Sequence, residues 1–187
     1  MSNKIDPRVT RTKKMFKEAL IALLEENDDS RKLTVQRIAA QAQLNRATFY
    51  LHYRDIEDLM EQMIDEILAD MHEVIEPPSR DGGRNRASES RTQLVTFLDY
   101  IYQHSALFNV MLENNDFRER MFQLLLEIIT LWEKDRAQRG KAFHVANEII
   151  ASSTLGIVSW WVKEDTPYSP NFLAKQIILM VTKKENK

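Results

Sequence analysis

Apolar positions along the chain recur every three or four residues and show no sustained alternation, so the pattern predicts helices throughout and no sheet. Between Val9 and Glu26, Met15, Phe16, Ala19, Leu20, Leu23 and Leu24 trace one face of a first helix. The turn formers Asn27-Asp28-Asp29-Ser30 end it. Thr34 is placed to cap a short helix carrying Val35, Ile38, Ala39 and Ala42. Asn45 caps another anchored by Phe49. Two short helices joined by a turn of about three residues have the helix-turn-helix spacing. Asp55 opens a longer helix reaching about Ile75, with Ile56, Leu59, Met60, Met63, Ile64, Ile67 and Leu68 as its stripe. Pro77-Pro78 stops it, because proline has no amide proton to donate. A mobile loop over 79–88 holds Gly82-Gly83 and three arginines. Five further helices are expected over 89–103, 105–113, 117–134, 143–163 and 170–183.

Only four glycines and five prolines interrupt 187 residues, which agrees with an all-α fold, and 43% apolar content supplies an ordinary core. There is no cysteine, so disulfides and thiolate chemistry are excluded. The basic, polar stretch from Met1 to Lys14 has no signal-peptide core, and no later run is apolar enough to span a bilayer, so a cytoplasmic location without membrane contact is expected. The net charge of −2 hides an asymmetry. Residues 1–54 carry eleven Lys/Arg against six Asp/Glu, and the remainder fifteen against twenty-two. A basic third on an acidic body suggests that one end meets a polyanion.

Residues 33–59 read LTVQRIAAQAQLNRATFYLHYRDIEDL. Thr34, Ile38-Ala39, Ala42, Leu44, Thr48, Tyr50, His52-Tyr53, Asp55 and Leu59 together resemble the DNA-binding domain of TetR/AcrR family regulators, and Arg11-Thr12-Lys13 fits the start of its first helix. The resemblance departs at two places: the family's turn glycine is Gln43, and the lysine that opens its fourth helix is Ile56. A left-handed conformation at Gln43 would cost roughly 1 kcal/mol, and Arg54 stands near enough to replace the lost lysine.

Within this frame Ile38, Ala39, Leu44 and Phe49 set the angle between the two short helices and belong to the core. Arg46 lies near the start of the second helix, where recognition helices meet base edges. Thr48, Tyr50 and His52 carry donors suited to phosphate oxygens. The resemblance implies that Thr34 also meets phosphate and that Gln36 approaches a base. Gln suits adenine and Arg suits guanine. Arg37 and Asn45 complete the DNA-facing candidates. Lys13, Lys14 and Lys17 read equally well as a phosphate-facing row and as a solvated face.

The resemblance further implies a flexible basic arm over 1–8, a helix-turn-helix domain over 9–54, a connecting helix over 55–76 and an effector-binding and dimerisation domain over 77–187. The last two long helices would pair with their mates in a homodimer, and Gly156 would let them approach closely. Two recognition helices about 34–36 Å apart then read a palindromic operator in double-stranded DNA. A small-molecule effector is expected in a pocket for which Phe97, Tyr100, His104, Phe108, Phe122 and Asn147 are candidates, although most large residues of these helices are simply core. The implied activity is repression relieved by that effector. The alternative is a ligand- or protein-binding module of the same fold, a co-regulator or activator, without its own specific DNA binding.

An enzyme is not expected. His52, His72, His104 and His144 are scattered without metal-ligand spacing, and Gly82-Gly83 has no preceding strand to form a phosphate loop. No metal and no cofactor is implied.

Overall fold

The computed structural model describes residues 6–26, 33–75, 86–138 and 145–182. Among them the chain forms helices α1 (Pro7–Glu26), α2 (Val35–Gln41), α3 (Arg46–Tyr50), α4 (Ile56–Ile75), α5 (Arg86–Gln103), α6 (Ser105–Met111), α7 (Asn115–Ala137), α8 (Asn147–Lys163) and α9 (Pro170–Val181), and no strand.

Local chemistry sets most boundaries. Asp6 accepts the Arg8 amide on its carboxylate at 2.9 Å and the Val9 amide on its carbonyl at 2.9 Å, with Pro7 in the first helical position. The helix therefore starts at Pro7, and the expected arm over 1–8 is corrected at its last two residues, while residues 1–5 lie outside those described. Thr34, Asn45, Asn114 and Ser169 each accept an amide hydrogen bond at the start of a helix. Asp55 does the same for α4, accepting from the Asp58 amide at 2.8 Å. The loop expected over 79–88 lies mostly outside the described residues, but Arg86, Ala87 and Ser88 belong to α5.

The chain divides into two compact units, residues 1–66 and 67–187, with the division inside α4. The helix expected over 55–76 is α4, whose first half belongs to the first unit and second half to the other.

In the first unit Phe16, Leu20, Ile38, Phe49 and Leu59 are fully enclosed, and Phe16 meets Phe49 edge to face at 5.3 Å between ring centres. Such pairs contribute about 0.5–1.5 kcal/mol beyond the area they bury. In the second unit α7 packs on α8, α5 on α9, and α6 on both α5 and α8, around Phe97, Leu98, Phe108, Phe117, Met121, Ala151 and Trp161.

Candidate nucleic-acid interface and effector cavity

The turn between α2 and α3 is built from backbone. Gln43 has φ 55°, the Gln43 amide donates to Ala40 O at 3.0 Å, and the Leu44 amide donates to Ala39 O at 2.9 Å. This paired closure uses a left-handed residue after the helix, a role that glycine fills without steric cost. The Thr34 hydroxyl accepts the Arg37 amide at 3.2 Å, and the Asn45 side chain accepts the Ala47 amide at 2.8 Å. Both caps hold the helix starts while remaining exposed.

None of the eight candidates for DNA contact is buried. Thr34, Gln36, Asn45, Arg46 and Tyr50 are exposed, and Arg37, Thr48 and His52 are half-buried. On α3, Phe49 turns inward onto Phe16 and Tyr53, while Tyr50 turns outward and remains 48% exposed. The Arg46 guanidinium donates to Tyr50 Oη at 3.1 Å and lies 5.5 Å from the ring centre. Leu51 follows at 80% exposure, an extreme for a leucine, and sequence reasoning did not single it out. The available signal was its place between Phe49 and Tyr53, which are buried four residues apart and so point Leu51 away from the core.

The lysines of α1 are engaged within the unit. Lys13 donates to Gln62 Oε1 at 3.0 Å and sits 5.6 Å from the centre of the Tyr53 ring. Lys17 pairs with Glu66, and Lys14 lies 3.7 Å from Glu18. Lys13 and Lys17 are thus partly buried and engaged within the chain, so neither is simply solvated, while Lys14 is exposed. Arg54 lies 3.5 Å from Asp58, a surface pair of the kind typically worth under about 1 kcal/mol and easily exchanged for a phosphate. The Arg54 amide, with Gln62 adding to it, holds the Asp58 carboxyl below its ordinary range. Burial pushes the Tyr53 phenol up to about 12, with Glu66 and Asp58 adding to the rise.

In the second unit a cavity of about 160 Å³ opens between α5, α7, α8 and α9. Leu94 and Phe97 from α5, Leu125 and Ile129 from α7, Ile150 from α8 and Ile177 from α9 are among its walls. Its lining also includes Arg91, Arg136 and Thr154, the last of which is buried. The Trp132 indole, also on the wall, donates to Gln93 Oε1 at 3.0 Å.

The six residues expected to line a pocket are not brought together. Only Phe97 faces this cavity. Tyr100, His104 and Phe108 form an aromatic cluster at the α5–α6 corner, with Tyr100 4.7 Å from the His104 ring centre and 6.0 Å from that of Phe108. Tyr100 donates to Asp70 at 3.1 Å, and burial followed by Asp70 pushes its phenol up to about 12. Phe122 is half-buried elsewhere on α7. Asn147 donates to Glu133 at 2.6 Å and more weakly to Thr130 at 3.4 Å. Helical periodicity marks these residues as inward-facing, but their neighbours across the bundle depend on tertiary packing.

No described helix is long and apolar enough to cross a membrane. The family model described as bacterial regulatory proteins, tetR family, matches residues 28–63. A second, described as a transcriptional regulator C-terminal region, matches residues 89–183. An uncharacterized HTH-type transcriptional regulator of Bacillus subtilis, YxbF, is 25% identical over 90% of the chain, which spans only 44% of that relative's length. The nucleoid occlusion factor SlmA of Vibrio cholerae is 24% identical, over 82% of this chain and 85% of its own. The crystal structure of a TetR transcriptional regulator from Streptococcus agalactiae superposes with a TM-score of 0.65 at 24% identity, covering 94% of this chain and 96% of that one, a likeness of fold.

Proposed function

The chain belongs to the TetR family of transcriptional regulators, and from that membership we propose that it is a sequence-specific, homodimeric repressor in the cytoplasm, released from a palindromic operator by a small-molecule effector. The observation that carries the DNA reading is the exposed row on α2 and α3. The caps fix two helix starts, the core is filled by Ile38 and Phe49, and Gln36, Arg46 and Tyr50 remain outside it. In this proposal Arg46 and Gln36 read bases in the major groove, while Thr34, Arg37, Asn45, Thr48, Tyr50 and His52 contact the backbone and set the register.

Support for a dimer comes from α8 and α9. Ile149 and Trp160 on α8, and Leu179 and Met180 on α9, are 48–58% exposed. Gly156 lies on the same side of α8 as Ile149 and Trp160, and a Cβ on it would have no described neighbour within 4 Å beyond its own helix. A stripe of large apolar groups with a glycine at its centre suits close packing against a second copy.

Release follows from population shift. An effector that binds better to a form with wrongly spaced recognition helices lowers operator occupancy by its difference in affinity for the two forms. The test is binding to an operator duplex and to an unrelated duplex across a salt series. With six to ten phosphate contacts, affinity drops by about 10³–10⁵ between 50 and 200 mM salt, with the operator preferred throughout. Equal affinity for the two duplexes refutes the proposal.

The similarity to a nucleoid occlusion factor favours one second reading, a DNA-bound factor that acts on a protein partner rather than on a promoter. Mapping bound sites in cells separates the two: promoter-proximal sites fit the repressor, and dispersed sites without transcriptional change fit the second reading.

A further inference from the structure

We propose that the cavity between α5, α7, α8 and α9 takes a compact apolar carboxylate, with a body of roughly six to eight carbons and its anionic head at Arg91 and Arg136. The proposal rests on the reading of the second unit as a sensor and narrows it to a ligand class.

Size sets the first limit. The space of about 160 Å³ is close to the roughly 150 Å³ of an apolar cavity that accommodates one benzene ring. It matches a short acyl chain or a single aryl ring, and a long acyl chain exceeds it. Lining sets the second limit. Leu94, Phe97, Ile129, Ile150 and Ile177 contribute only hydrocarbon, so the enclosed part of the ligand is apolar.

Charge sets the third limit. Among the described lining residues the charged side chains are the exposed Arg91 and the half-buried Arg136, which also has a partner within the chain; both are cationic, and no described lining residue is a carboxylate. They come from different helices, α5 and α7, and α9 adds Ile177 and Val181 to the lining. Guanidinium groups match carboxylates with paired hydrogen bonds and are less strongly hydrated than ammonium groups, so they serve well at the edge of an apolar site. An amine would bring a second cation to the same place. Thr154, buried on α8, adds a hydroxyl to the wall for a further polar atom of the ligand.

The experiment is calorimetric titration of the free wild-type protein with octanoate, octanol and octylamine, repeated on the double variant Arg91→Gln/Arg136→Gln. Octanoate is expected to bind at least tenfold tighter than either competitor, and butanoate weaker by roughly fourfold for each methylene removed. In the double variant, octanoate falls to the affinity of octanol while octanol itself is unchanged, which also reports that the cavity is intact. The proposal is overturned if octanol or octylamine equals octanoate on the wild type, if the double variant keeps the preference for the acid, or if none of the three binds folded wild-type protein. Operator binding is measured separately with octanoate present. Octanoate binding that leaves the operator complex unchanged upholds the site and removes the effector-release reading.

Discussion

On the outer face of α3 the Arg46 guanidinium donates to Tyr50 Oη at 3.1 Å, one helical turn away, and lies 5.5 Å from the centre of its ring. The phenol holds an otherwise flexible cation in one place on an exposed surface, so less side-chain freedom is lost when Arg46 meets a base. Arg46→Ala should weaken operator binding by about 1–3 kcal/mol and relax preference at one base pair, with the unfolding midpoint unchanged. Tyr50→Phe should produce a smaller loss spread evenly over sequences. Competition binding against single-base operator variants separates these patterns, and an unchanged Arg46→Ala profile removes Arg46 from base recognition.

Gln43 holds φ 55° in the turn between the two short helices, with its side chain exposed. Gln43→Gly relieves that conformation but enlarges the freedom of the unfolded chain, and the two effects oppose each other. A left-handed non-glycine residue costs about 1 kcal/mol or somewhat more, so a net gain of up to about 1 kcal/mol is expected in denaturant unfolding. A loss shows that the turn carries no such strain.

The Tyr53 hydroxyl is buried with no hydrogen-bond partner among the described residues. An unsatisfied buried hydroxyl costs about 1–3 kcal/mol, so Tyr53→Phe should stabilise the protein by about 1 kcal/mol. Its phenol pKa rises from 10.0 to about 12, chiefly through burial. Below pH 10 folded and unfolded chains both keep the proton. Between pH 10 and 12 the unfolded chain releases it first, so stability falls across that window. This contribution amounts to about 2 kcal/mol. Tyr53→Phe should remove it while leaving that of Tyr100, and thermal unfolding of both proteins from pH 8 to 11 checks the difference.

Gly156 offers the cleanest probe of the proposed dimer, because it is exposed and a Cβ there would have no described neighbour within 4 Å beyond its own helix. Gly156→Glu should keep the helix, gain up to about 1 kcal/mol of helix propensity, and shift the protein to monomer in sedimentation with loss of palindrome binding. A Gly156→Glu protein that remains dimeric places the interface elsewhere.

The helix-turn-helix was legible because its determinants are local. Thr34 and Asn45 cap within three residues, Ile38 and Phe49 repeat at helical spacing, and the departure at Gln43 marked the residue that takes positive φ. The start of α1 is also marked locally, by Asp6-Pro7, whereas its apolar periodicity begins only at Val9. Asn114 likewise caps α7 three residues before Phe117, where the apolar stripe begins. The cavity was not legible. Its wall combines Arg91, Arg136, Ile150 and Ile177 from four helices, and nothing within any one helix separates a residue facing a void from one facing a neighbour. Tyr100 and His104 have the polarity of ligand groups but face Asp70, Phe108 and solvent instead.

Selection of bound duplexes from a random DNA pool by the purified full chain tests the central claim most directly. The account predicts enrichment of a palindrome whose half-site centres lie about one helical turn, or a multiple of it, apart, with enrichment at one base pair lost in Arg46→Ala. No enriched sequence at low salt, from protein shown to be folded and dimeric, contradicts it.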